Sequence, residues 1–317
     1  MLHGDLAAVY QHPGNQAGPF QQLAAAIFRA MVPAGFEVAG LRVAGATALV
    51  LGAVVGLSKL RASLGLRPGP LRVLVVSALI AVWEVPGYGL DGHLAELAIP
   101  VMWVAAGLAM RKGMPNVGAL LVGLSAGWEP WGLLGIPLLL CAPASALRVA
   151  RLGALAVATT MALYLPFALS GTFAMFDYVW PIGSGSLWHH LMPGRSSFTW
   201  WMRAVQGAGS VAVGALVAAG LRSSRHLIWL VPLAVFETRL LLDPIAYDYY
   251  YTVPQLLGLI GLCLLEGERR RNMACVAVLA YLQFAIIPAS RLSVLAISLV
   301  LVLYLAWALR PRATASG

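Results

Sequence analysis

Long apolar runs, separated by short connections that each carry one sign of charge, leave this chain few ways to fold. Fifteen of its 21 lysines and arginines fall in six clusters between those runs: Lys59/Arg61/Arg67/Arg72, Arg111/Lys112, Arg148/Arg151, Arg222/Arg225, Arg269/Arg270/Arg271 and Arg310/Arg312. Ten of the 12 acids and five of the six histidines lie in the other connections or in the helix ends that face them. Short basic loops stay cytoplasmic when a chain is threaded into a bilayer. The expected topology therefore puts the acid- and histidine-bearing face outside, and any chemistry run by carboxylates with it.

Composition points the same way. A chain of 317 residues that is 60% hydrophobic and 10% charged, with mean hydropathy +0.83, is not expected to be an ordinary soluble domain. The net charge of +9 is dispersed in pairs over short loops, which is the signature of membrane insertion and not of nucleic-acid binding. Cys141, Cys263 and Cys275 sit in or beside apolar runs without CxxC spacing and read as packing residues, neither a disulfide framework nor a metal site.

Residues 1–20 are polar and contain no signal peptide, and an apolar stretch from Phe20 to Val32, interrupted by Arg29, reads as a helix lying at the membrane interface. Runs expected to span follow at roughly 41–58, 72–87, 95–110, 152–169, 205–221, 227–242, 249–265, 273–288 and 292–309. The fold class expected is an all-α polytopic membrane protein of about nine transmembrane helices plus a re-entrant hairpin. It forms one domain: an external segment 1–40, a helical bundle 41–309 and a cytoplasmic tail 310–317. Nine crossings that finish inside begin outside, so the expectation includes a helix upstream of Met1.

The hairpin is inferred from segment 117–142, which basic pairs flank on both sides, so that both of its ends belong to the cytoplasmic face. Its middle, Gly127-Trp128-Glu129-Pro130-Trp131-Gly132, breaks a helix. Each half rises roughly 17 Å, about half a bilayer core. Glu129 is then expected at the tip, near the outer side, where a carboxylate is costly unless it is used or paired.

Several groups compete for a chemical role. Asp5 is either a solvated acid of the terminus or a general base at the membrane surface. Asp91, His93 and Glu96 share one external turn, but three mixed ligands without a second histidine cluster are poor zinc spacing, so a polar lip is favoured and no metal is expected. His189 and His190 are adjacent and point different ways; His189 with Arg195 is a candidate phosphate contact. Arg239 and Asp243, at i and i+4, read as an intrahelical ion pair. Trp180, Trp188 and Trp200 are candidates to line a sugar or lipid lip. Walker, GxSxG and HExxH motifs are absent.

Four passages together resemble the polyprenyl-phosphate-sugar-dependent membrane glycosyltransferases of the GT-C type, in particular the mannosyltransferase-like glycosyltransferase family 87. They are Gly4-Asp5-Leu6 with Tyr10 and Gly18-Pro19; Gly92-His93-Leu94-Ala95-Glu96; Gly123 to Pro130; and the tyrosine turn Tyr247–Tyr251 with Pro254. The resemblance implies a lipid-linked sugar-phosphate donor, no further cofactor, an extracytoplasmic glycolipid or glycan acceptor and inversion at the sugar carbon. It implies that Asp5 is the base and that the enzyme sits in the plasma membrane with its catalytic face outside. Where that family carries a lysine before the proline of the third passage, this chain has Glu129. Glu129, Glu96 and His93 are the candidate pocket residues, with Arg195, His189 and Trp188 beside them. The other readings are a polytopic transporter or lipid flippase, or a non-catalytic relative of the same scaffold.

Overall fold

The computed structural model describes residues 6–31, 38–84, 93–142, 145–221, 227–245, 247–265 and 291–309. Asp5, Asp91, Cys275, the run 273–288 and the clusters Arg222/Arg225, Arg269–Arg271 and Arg310/Arg312 lie outside the described residues.

The chain is mostly helical. In order come α1 (Pro19–Met31), α2 (Val38–Ser63), α3 (Pro70–Glu84), α4 (Ala95–Arg111) and α5 (Pro115–Ser125), followed by a 3-10 helix (Pro130–Leu140) and α6 (Ala146–Ser170). A loop region then carries the only strand pair among the described residues, β1 (Trp180–Pro181) antiparallel to β2 (Ser197–Phe198), with the single turn α7 (Leu187–Leu191) between them. Among the described residues there follow α8 (Trp200–Gly220), α9 (Leu230–Leu241), a 3-10 turn (Asp248–Tyr251), α10 (Thr252–Leu264) and α11 (Arg291–Ala308). Among the described residues, α6 and α8 are long and apolar enough to cross a membrane.

Local chemistry sets these boundaries. Pro19, Pro70, Pro115 and Pro130 each open a helix, where the missing N–H costs nothing and φ is already helical. Gly65 and Gly113, at φ 69° and 74°, end α2 and α4. At each the glycine N–H bonds the carbonyl three residues back, and the next residue bonds the carbonyl five back: Leu66 to Arg61 at 3.0 Å, Met114 to Ala109 at 2.9 Å. This left-handed glycine cap folds each helix sharply onto its successor.

The break expected inside 117–142 is present, with α5 ending at Ser125 and the second half starting at Pro130. The second half is a 3-10 helix of 11 residues, unusually long for that form. Gly132, Gly135 and Pro137 supply the reason: none supports a regular α-helix, and the glycines let neighbours close in. A Cβ on Gly132 would lie 2.4 Å from the Ser125 carbonyl carbon, and one on Gly135 would lie 2.4 Å from Trp103 Nε1.

At the centre stand α9 and α10. Every residue of α9 from Leu230 to Leu240 is buried, among α8, α10, α11 and the 3-10 helix. The structure thus replaces the expected run 227–242 with a 12-residue helix enclosed by neighbours. In contrast α6 turns an apolar face outward through Leu147, Met161, Leu165 and Leu169. Its inner face meets α5 so closely that a Cβ on Gly123 would lie 2.5 Å from the Ala156 carbonyl oxygen.

Candidate functional site

Cations of the basic clusters close helix C-termini at one end of the molecule. The Arg61 and Arg72 guanidinium groups donate to the Cys263 and Leu265 carbonyls at the end of α10, and Arg111 Nη2 donates to Leu221 O at the end of α8, 2.6 Å away. Such carbonyls have no partner within the helix and carry the negative end of its dipole. From Leu221 back to Gln206, α8 rises roughly 22 Å; the 3-10 helix climbs the same distance, roughly 22 Å at 2 Å per residue. Both arrive at a cavity of about 200 Å³ far from the basic end, bounded by Glu129, Trp131, Trp180, Trp200, Arg203, Gln206, Arg239, Tyr250 and Gln16 among others.

Glu129 reaches this cavity because the hairpin tip is held from several sides. The N–H groups of Gly18 and Phe20 donate to the Trp128 and Gly127 carbonyls, each at 2.7 Å, tying the N-terminal segment to the tip. A Cβ on Gly18 would lie 2.3 Å from Gly127 O, so this approach admits glycine alone. Trp103 Nε1 donates to Gly132 O at 2.8 Å and pins the start of the 3-10 helix. Trp131, packed edge-on against Trp103 and tilted against Phe236, donates its Nε1–H to Glu129 Oε2 at 2.6 Å. One carboxylate oxygen is therefore fixed.

The N-terminal segment is anchored as well as tied. Tyr10 is buried against Tyr164, Phe167 and Phe173 and donates its hydroxyl to Ala17 O at 2.9 Å. Burial pushes the Tyr10 phenol well above its ordinary value, so it stays a neutral donor.

Two arginines face Glu129. Arg203, in the first turn of α8, lies 4.3 Å above the Trp180 ring and donates through Nη1 to Gln206 Oε1 at 2.6 Å and Asp243 Oδ2 at 3.0 Å. Arg239, in the last turn of α9, is 5% exposed and packs over Tyr250 and Trp131 at 4.8 and 5.1 Å. Its Nη2 stands 3.7 Å from Asp243 Oδ2, so the expected i, i+4 pair is present. Its Nη1 is buried without a hydrogen-bond partner among the described residues. Gln206 Nε2 completes the node, donating to Arg239 O at 2.7 Å and Asp243 Oδ2 at 3.0 Å. Asp243 thus serves both guanidinium groups, and Glu129 is the only carboxylate on the cavity wall among the described residues.

The other sequence candidates are spread more widely. Glu96, in the first turn of α4, is fully buried within electrostatic reach of Glu129 and Arg239, but it does not line the cavity. His93 stacks on Tyr249 with ring centroids 3.6 Å apart. Arg195 and His189 are exposed and lie off the cavity wall, Arg195 donating to Ser197 O within its own loop. Asp5 lies outside the described residues. Among the described residues no group of three or more His, Cys, Asp or Glu could hold a metal ion.

The expected tryptophan lip divides. Trp180 and Trp200 line the cavity, whereas Trp188 is buried with Phe198 and Met202 and donates to Leu242 O at 2.7 Å. Trp188 therefore ties the loop region to the end of α9. Trp188→Ala is expected to cost about 3 kcal/mol of stability through the lost core side chain. A thermal melt should register this as a lower midpoint.

Residues outside the sequence candidates complete the site: Arg203, Gln206, Trp131, Tyr250 and Gln16. One signal was present for the arginines. Both Arg203 and Arg239 break the charge sorting, because they are cations near the acidic end and outside the six basic clusters. No protein-family model matches this chain, and no curated protein matches it.

Proposed function

We propose that the protein is a polytopic membrane glycosyltransferase of GT-C type, which moves a sugar, mannose in the first instance, from a polyprenyl-phosphate donor to an extracytoplasmic glycolipid or glycan acceptor. One observation carries this reading. Two arginines, Arg203 and Arg239, share the wall of one cavity with a single carboxylate among the described residues, Glu129, and with several aromatic rings. An anionic group of a ligand would be held between two guanidinium groups by charge-assisted hydrogen bonds.

The chemistry follows from charge. The acceptor hydroxyl oxygen attacks the anomeric carbon from the face opposite the phosphate, and Glu129 takes the hydroxyl proton. The bond between the anomeric carbon and the phosphate oxygen breaks with its electron pair on that oxygen, so the sugar is transferred with inversion. A phosphodiester donor becomes a phosphomonoester and gains one negative charge as it leaves. Arg203 and Arg239 meet that charge where it develops, which is the form of electrostatic stabilisation that lowers a barrier most. A phosphate leaving group needs little acid assistance, whereas the acceptor needs a base. The aromatic walls offer apolar faces to a sugar ring and to the first prenyl units.

Membranes containing the chain, given radiolabelled polyprenyl-phosphate mannose, are expected to transfer label to an acceptor with inverted anomeric configuration. Movement of the labelled lipid between leaflets without transfer would assign a flippase instead. Neither transfer nor movement, for mannose or other hexosyl donors, would remove the enzyme reading.

A further inference from the structure

Gln16 lies on the cavity wall, and its amide is oriented by partners that can only accept. Nε2 donates to Pro13 O at 2.7 Å and to Met175 O at 3.0 Å. Both partners are backbone carbonyls, so the amide cannot be turned over without setting oxygen against oxygen on both sides. Both N–H groups of the side chain are thereby used. Oε1 is fixed on the other side of the planar group, and no donor among the described residues bonds it. The segment is held in place just beyond Gln16, by Tyr10 donating to Ala17 O at 2.9 Å and by the 2.7 Å bond from Gly18 N to Trp128 O.

The rest of the wall is rich in donors. Arg203 and Arg239 place two guanidinium groups on it, with Trp200 beside them. Glu129 offers an acceptor too, but in the proposed reaction it takes the proton of the acceptor hydroxyl. Gln16 Oε1, carried by a residue of the cavity wall, is a preset, neutral acceptor with no catalytic task.

We infer that Gln16 is a specificity-determining residue: its Oε1 accepts a hydrogen bond from one hydroxyl of the transferred sugar. This rests on the cavity being the donor-sugar site. A single neutral hydrogen bond, with a buried acceptor left empty when the hydroxyl is missing, discriminates by about tenfold to a hundredfold. An apolar wall would not distinguish hydroxyl from hydrogen in this way, because it offers no polar group to be stranded.

The test compares kcat/KM for polyprenyl-phosphate mannose with that for its monodeoxy analogues, each lacking one ring hydroxyl. The full chain is used in membranes, as wild type, Gln16→Met and Gln16→Glu. Wild type should reject one analogue about tenfold or more. In Gln16→Met that preference should vanish while preferences at the other hydroxyls persist. Gln16→Glu retains an acceptor but sets a carboxylate against the Pro13 and Met175 carbonyls; it should lose stability and keep the preference. A role confined to anchoring the segment predicts the opposite pattern, with all donors falling together and the preference surviving in Gln16→Met. That pattern, or a wild type indifferent to every deoxy analogue, overturns the inference while leaving transfer intact. Absence of transfer from the parent donor by wild type overturns it together with the proposed function.

Discussion

Glu129→Gln is expected to lower sugar transfer by about 10²- to 10⁴-fold, the range a general base contributes, while leaving the protein folded. Glutamine has the size and shape of glutamate, and its amide oxygen can still accept from Trp131 Nε1, which now bonds Glu129 Oε2 at 2.6 Å. What disappears is the ability to take a proton. The comparison that gives the result its meaning is Asp5→Asn, because the resemblance to family 87 assigns the base to Asp5. Transfer lost in Glu129→Gln and retained in Asp5→Asn places the base on the hairpin tip. The reverse outcome returns it to the N-terminal segment and leaves Glu129 as a partner of the arginines.

The second large effect is on the scaffold. Gly132→Ala should prevent the hairpin from closing, because the added methyl would lie 2.4 Å from the Ser125 carbonyl carbon, where backbone and not a mobile side chain must yield. Overpacking of this kind costs about 3 kcal/mol or more when the neighbour cannot move. The same shift would disturb the Gly132 carbonyl, which accepts from Trp103 Nε1 at 2.8 Å and Ser125 Oγ at 3.0 Å. The expected result is a sharply lower melting temperature, or failure to accumulate in the membrane. Gly153, inside α6, is the control, since no atom lies within 4 Å of a Cβ built there; Gly153→Ala should melt no lower than the wild type, because alanine suits a helix interior better than glycine.

Helices were legible in the sequence to the extent that hydrophobic length and charge punctuation determine them. The break at 126–129 follows from one proline between glycines, and α5 and the 3-10 helix fall on either side of it. Periodicity does not separate a 3-10 from an α-helix when every residue is apolar, so the form of the second half was hidden. The enclosure of α9 was hidden for a related reason. A run of Leu, Val and Phe looks the same whether lipid or protein surrounds it.

The site was only partly legible. Glu129 stood out because a carboxylate between two tryptophans at a helix break demands an explanation. Arg239 and Asp243 were recognised as a pair, and the local spacing gave no hint that Arg203 and Gln206, more than thirty residues earlier, share the same aspartate. Gln16 carried no signal at all, since its orientation depends on the Met175 carbonyl, 159 residues away. Arg195 and His189 drew attention through charge in a tryptophan-rich loop, yet that loop builds its own small core around Trp188 and Phe198 and leaves both outside.

The most direct test of the central claim is equilibrium binding of polyprenyl phosphate, the released product, to the purified full-length protein in lipid nanodiscs, wild type against Arg239→Gln. The arrangement of Arg203 and Arg239 predicts saturable binding by the wild type and an affinity about tenfold to a hundredfold weaker in the variant, the value of a charge-assisted hydrogen bond. Polyprenol without phosphate should bind both proteins equally and weakly. Equal affinity of the two proteins for polyprenyl phosphate, or no binding by either, would contradict a phosphate site at these arginines and the transfer reaction built on it.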